Sequence, residues 1–330
     1  MNKIVILNMF RAKNKQSFFA LHQIYNKIKS FDDSIDVNFH TLWDTENELG
    51  MKNDKKWEDL IDNYGFNLTS YNKEFFRDYW ISAYDYDEPT VTLKCSKYFP
   101  IYQILIMHYL RRVKLYDYCL IYDDDILINY DLVDVIKLML EKTPVLITEP
   151  FNCNCDKVLI KNILEMYGSE AVTLYKKRNP DIHGFNAGFQ GVDLSIFDDF
   201  LSKDRFELMI NMFNYDGIID SNGNEIWDHR RFVNDTQQQS FLSNMNIIKS
   251  KKDPHILDPL TCYVAPNFGS HPILGTLNSE DELNGWGCCM KSKISHFIGH
   301  TRGKGKPIQF LEKMDEYLKI NNFLLLNLLV

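Results

Sequence analysis

Three consecutive acids, Asp123, Asp124 and Asp125, stand between two short apolar runs in the stretch Cys119-Leu120-Ile121-Tyr122-Asp123-Asp124-Asp125-Ile126-Leu127-Ile128. If both runs are buried, the acids are held at one place. An Ile- and Leu-rich run bounded by charge reads as a buried strand of a mostly parallel sheet. In open α/β sheets the ligand site lies beyond the carboxyl ends of such strands. Two carboxylates converging there make a hard oxygen site suited to Mg2+ or Mn2+ carrying a phosphate. The alternative is a solvated acidic turn after an edge strand, because short acidic motifs recur by chance.

The elements around this stretch fix its setting. Ile4-Val5-Ile6-Leu7 reads as a first strand ending at Asn8, Phe18 to Ile28 has helical spacing, and Ile35 to Phe39 alternates as a second strand. No Gly-rich turn follows the first strand, which disfavours a dinucleotide fold with phosphate-cradling glycines. Residues 45–95 are polar, aromatic and weakly patterned, as an inserted segment would be. Tyr98 to Val113 is a predicted helix, with Tyr102, Leu105, Ile106, Tyr109 and Leu110 on one stripe and Pro100 in its first turn. A helix over Leu132 to Leu140, a strand over Val145 to Thr148 and a helix near Lys157 to Tyr167 follow. This alternation predicts an α/β fold, a mixed and mostly parallel central sheet flanked by helices.

At 330 residues the chain is long enough for one large α/β domain with insertions. A net charge of −8 argues against a general nucleic-acid binder, since no basic footprint is present. Seven cysteines, at 95, 119, 153, 155, 262, 288 and 289, form an odd set and read as free thiols of a reducing, cytoplasmic compartment, the host's cytoplasm if the source is viral. A zinc module of Cys153, Cys155, Cys288 and Cys289 is disfavoured, because Cys-x-Cys and adjacent cysteines lack the usual ligand spacing. The run Ile4 to Met9 is too short for the apolar core of a signal peptide, and no stretch is long enough for a transmembrane segment. The closing Phe323-Leu324-Leu325-Leu326-Asn327-Leu328-Leu329-Val330 reads as a packed terminal segment, with homodimer contact or membrane association as alternatives.

Three motifs of the second half add chemistry. Gly184-Phe185-Asn186-Ala187-Gly188-Phe189-Gln190-Gly191 places three glycines and an Asn inside a strand-like run. Either its backbone passes close to a ligand or the strand is bulged or tightly packed. Asp235-Thr236-Gln237-Gln238-Gln239 reads as a helix start with Asp235 as N-cap. His296-Phe297-Ile298-Gly299-His300-Thr301-Arg302-Gly303-Lys304-Gly305-Lys306-Pro307 gathers cations and glycines in an otherwise acidic chain, and suits the wrapping of a diphosphate.

In order and character these motifs resemble the metal-dependent GT-A glycosyltransferases, and within them glycosyltransferase family 8, over most of residues 1–310. The resemblance implies a metal-dependent enzyme, a hexosyltransferase that moves a sugar from a nucleotide-diphosphate sugar, most often a UDP-sugar, to a hydroxyl of a glycan or protein acceptor with retention. Asp123, or Asp124 in its place, would be a ligand of Mn2+ or Mg2+ together with Asp125 and His296. Leu7, Asn8, Asp124, Ala187, Gly188, Gly299, Arg302, Lys304 and Lys306 would hold the nucleotide sugar. Asn186, Asp235, Gln238 and Gln239 would be the catalytic groups near the reacting sugar. Residues 1–310 would then form one GT-A domain, a nucleotide-binding half over 1–130 and a sugar and acceptor half over 131–310, with an apolar helical extension over 311–330.

The chain departs from the family in a longer interval between Gly299 and Lys306, in Asp-Thr-Gln-Gln-Gln replacing a simple Asp-Gln, and in an insertion around Asn214 to Arg231. An inverting reaction would instead need a carboxylate base, for which Asp193, Asp228 and Asp235 are available. A catalytically inactive sugar-binding protein on the same fold and another metal-dependent nucleotidyl or phosphoryl transferase are the alternatives.

Overall fold

The computed structural model describes residues 3–8, 15–42, 67–71, 75, 78–79, 99–123, 126–128, 132–149, 156–181, 184–202, 204, 242–257, 262–264, 270–271, 275–276 and 294–296. Its strands are β1 (Lys3–Asn8), β2 (Asp36–Leu42), β3 (Asn67–Tyr71), β4 (Tyr118–Tyr122), β5 (Ile126–Ile128), β6 (Val145–Glu149), β7 (Gly184–Asp193), β8 (His255–Leu257), β9 (Cys262–Val264), β10 (Ser270–His271), β11 (Gly275–Thr276) and β12 (Ile294–His296). The helices are α1 (Lys15–Phe31), α2 (Phe99–Arg112), α3 (Val133–Leu140), α4 (Asp156–Arg178) and α5 over 242–249, with a 3-10 helix at Leu194–Phe200.

Seven strands form one mixed, mostly parallel sheet in the order β3-β2-β1-β4-β7-β6-β8. β1 and β2 run parallel, with Ile4 opposite Val37 and Leu7 opposite His40, and β6 and β7 run antiparallel. The α/β class expected from the alternation of elements is the one observed. A second sheet of three strands has the order β5-β12-β9, and β10 pairs with β11. The acidic stretch is therefore not one strand. Its first flank is the central strand of the large sheet, and its second flank belongs to the small one.

Two compact units are distinguished. The first comprises Met1–Ser70, Leu120–Leu140 and Leu257–Val330. In it β1 is apolar on both faces, and Val5, Ile6 and Leu7 are fully buried. Ala20, Leu21, Ile24 and Ile28 form the buried stripe of α1, which packs on β5 and α3.

The second unit comprises Tyr71–Cys119 and Glu141–Ile256. The single stripe expected for α2 is too narrow, because all of Gln103 to His108 is buried, as happens when a helix is enclosed on several sides. Its one buried imidazole, His108, is satisfied at both nitrogens. A carbonyl can only accept, so Nε2 donates to Phe200 O at 2.8 Å and Nδ1 accepts from the Tyr79 hydroxyl at 2.7 Å. One turn on, the Arg111 guanidinium grips the Asp198 carboxylate at 2.6 and 2.8 Å. β3 and the ring cluster of Phe75, Tyr79 and Tyr109 show that the weakly patterned segment carries structure the periodicity did not reveal.

Candidate active site

The first unit brings together two parts of the sequence that the motifs left far apart. β4 ends at the fully buried Tyr122, and Asp123, half-buried, is the first residue beyond it. After Asp124 and Asp125 the chain enters β5, which pairs antiparallel with β12. The register sets Ile294 opposite Ile128, Ser295 opposite Leu127 and His296 opposite Ile126. His296 thus stands across from the residue that directly follows Asp125. On its other edge β12 runs parallel with β9, with His296 opposite Val264.

The residues that flank the acids are held from α1 by a side chain that the sequence motifs did not include. Gln23 is 2% exposed on the buried face of that helix. Its carboxamide N–H groups donate to Ile126 O at 3.0 Å and to the Tyr122 hydroxyl at 3.3 Å, and its Oε1 accepts from the Ile128 N–H at 2.8 Å. These partners fix which end of the amide is oxygen. The available signal was a lone carboxamide among Ala20, Leu21 and Ile24, since a buried amide must find partners.

Leu7 and Asn8 close β1, opposite His40 and Thr41 of β2, and the Leu7 side chain is fully buried. Asp124, Asp125, Asp235, Gln238, Gln239, Gly299, Arg302, Lys304 and Lys306 lie outside the described residues, as does the side chain of His296. Among the described residues, no group of three or more His, Cys, Asp or Glu side chains is assembled to hold a metal. Carboxylates and an imidazole, the residue types of Asp123, Asp125 and His296, are hard oxygen and nitrogen donors of the kind a divalent ion such as Mn2+ takes. The β5–β12 register pairs His296 with Ile126, the residue that follows the acids in the sequence.

In the second unit Asn186 lies in β7 opposite Ile147, with Phe185 opposite Thr148, and Gly188 is buried. The pairing slips between Val145–Gly191 and Ile147–Asn186, so β7 carries extra residues there. The bulged and tightly packed alternative for the glycine-rich run therefore holds at this point. Gly191 has a packing reason of its own, because a Cβ there would meet the Tyr118 hydroxyl at 1.7 Å. Asp193 does not await an acceptor hydroxyl as a base. It is buried as the N-cap of the 3-10 helix, and its carboxylate accepts from Ser195 N at 2.9 Å and Lys251 N at 3.2 Å. Cys119 is buried and in no disulfide, and Cys153, Cys155, Cys288 and Cys289 lie outside the described residues. No described helix is long and apolar enough to cross a membrane.

No family model and no curated protein matches the chain. Among solved structures it is similar to apo mouse xyloside xylosyltransferase 1, at 10% identity and TM-score 0.47, covering 91% of this chain and 99% of that one. It is also similar to the apo bifunctional glycosyltransferase WbbM, at 13% identity and TM-score 0.44, covering 98% of this chain and 52% of that one. A third is a glycosyltransferase involved in glycosylation of the major capsid of PBCV-1, at 12% identity and TM-score 0.35, covering 96% and 98%. All three TM-scores lie below 0.5, so the functional reading rests on the chain's own residues.

Proposed function

We propose that this chain is a metal-dependent glycosyltransferase of the GT-A type, moving a sugar from a nucleotide-diphosphate sugar to an acceptor hydroxyl. The observation that carries the reading is the register of β12 on β5, which sets His296 opposite Ile126, the residue that follows the three acids in the sequence. The side chains these positions offer are carboxylates and an imidazole. They suit a divalent cation.

The reaction breaks the bond between the anomeric carbon and the diphosphate oxygen and forms one to the acceptor oxygen, whose proton is lost. Negative charge grows on the leaving diphosphate. A bound Mn2+ or Mg2+ supplies opposite charge to those oxygens. Asp123, Asp125 and His296 are the residues proposed to hold it, with Asp124 beside them. Arg302, Lys304 and Lys306 offset the same charge with charge-assisted hydrogen bonds, and the glycines from Gly299 onward allow the backbone to approach. Leu7 and Asn8 border the nucleotide, Ala187 and Gly188 the donor sugar. Asn186, Asp235, Gln238 and Gln239 steady the sugar as its anomeric bond breaks, and retention with a UDP-sugar is the outcome the family resemblance suggests.

The test is a panel of single nucleotide sugars with Mn2+ or Mg2+, following release of nucleotide diphosphate. At least one donor is expected to be transferred or slowly hydrolysed, and Asp125→Asn is expected to lower that rate about a hundredfold or more. Donor binding without release would support the inactive sugar-binding reading instead. No interaction with any donor, or a mutant that equals its parent, would overturn the proposal.

A further inference from the structure

We propose that Gln23 is the positioning residue of the acidic triplet, holding it for a divalent cation by bracketing it from both sides; this rests on the metal reading given above. One carboxamide reaches Tyr122, the residue before the triplet, and Ile126, the residue after it. It also takes the Ile128 N–H. The three acids lie between positions that a single side chain ties together.

The arrangement imitates a missing strand. β5 has β12 on one edge, and the Ile126 carbonyl and Ile128 N–H are satisfied on the other edge by Gln23. Alternating backbone groups of a strand point to opposite edges, so each edge needs its own partners. A three-residue strand makes few ladder bonds with its neighbour, so a second set of partners adds to its hold. An amide offers one donor side and one acceptor side, the pair that a neighbouring strand would present. No apolar residue on α1 could do this. With both edges of β5 held, the backbone that follows the triplet is held at Ile126, where it faces His296.

Outer groups that orient metal ligands usually alter affinity without touching the ion. The full-length chain is titrated with Mn2+ alone, and free Mn2+ is read by electron paramagnetic resonance. Gln23→Met, which keeps the length and removes all three hydrogen bonds, is expected to raise the Mn2+ Kd about tenfold. Exchange of the Ile128 amide hydrogen should quicken in the same variant. Ile28→Val, on the buried face of the same helix, is the control for lost packing and should leave the Kd unchanged. An unchanged Kd in folded Gln23→Met overturns the proposal. Should that variant fail to fold, Tyr122→Phe decides: it deletes one of the three bonds and is expected to raise the Kd about threefold, and no change overturns the proposal. Asp125→Asn separates the two levels. If it or the parent shows that no Mn2+ is held at the triplet, the metal reading falls and this inference with it. If Asp125→Asn loses binding while Gln23→Met keeps it, only the inference on Gln23 falls.

Discussion

A methyl group added at Gly191 would lie 1.7 Å from the Tyr118 hydroxyl oxygen, 2.8 Å from its Cζ and 3.2 Å from the Val145 nitrogen. The ring cannot swing aside freely, because Tyr118 is buried and its hydroxyl donates to Thr143 O at 2.8 Å. Gly191→Ala is therefore expected to cost about 1–3 kcal/mol of unfolding free energy, the usual range for overpacking. Tyr118→Phe removes the nearest atom of the clash and is expected to cost about 1 kcal/mol by itself, from the lost donor to Thr143. In the double variant the Gly191→Ala penalty should shrink, giving a coupling of roughly 0.5 kcal/mol or more in urea melts. Strict additivity would show that the two residues do not share this space. The sequence left a choice at this glycine between a ligand and a packed strand. What fills its space is a tyrosine from β4, and no local pattern marks a partner so distant along the chain.

At the scale of elements, the sequence foretold strands and helices where long apolar runs or periodic stripes exist, and β1, α1, α2, α3 and β6 are found close to their expected places. It failed where an element is held by partners alone. β12 has three residues and no periodicity to read, yet its register carries the candidate site. α4 shows a subtler case. The helix expected near Lys157 to Tyr167 continues to Arg178 through Gly168, whose φ of 78° and ψ of −176° break the helical path. That conformation lies in the region that essentially only glycine occupies, unlike the left-handed helical region that Asn tolerates. Nothing lies within 4 Å of a Cβ built there, so a substitution meets backbone strain and no clash. Gly168→Ala and Gly168→Asn are thus expected to destabilise alike, by about 1–3 kcal/mol, with thermal midpoints lowered together. A much milder effect for Asn would mean that the kink relaxes to a left-handed helical turn.

At the scale of the whole molecule, charge and composition argue against a general nucleic-acid binder, and the order of the motifs carries the resemblance to nucleotide-sugar enzymes. What they could not convey is which polar groups folding takes from water. His22, His40 and His108 are all buried, and burial lowers each from 6.5 to about 4. In each the neutral imidazole is the native form. Their contribution is fully present above about pH 6.5 and is lost as pH falls towards about 4, because the unfolded chain takes up protons that the native chain refuses. The surface carboxylates Asp32 and Asp117 are lowered from 3.8, Asp32 chiefly by its hydrogen bond with Ser34 and Asp117 by its bond with Lys142, so they act only in more acid solution. Urea melts between pH 7.5 and 4.5 should therefore lose stability well before carboxylates titrate. Near pH 5 the slope should approach that of three protons, each worth roughly 1.4 kcal/mol per pH unit. His40→Gln should remove about a third of that slope whatever it does to stability at pH 7.5, since the slope counts protons and not contacts. Stability that stays level from pH 7.5 to 5 would show that these imidazoles are hydrated in the native chain.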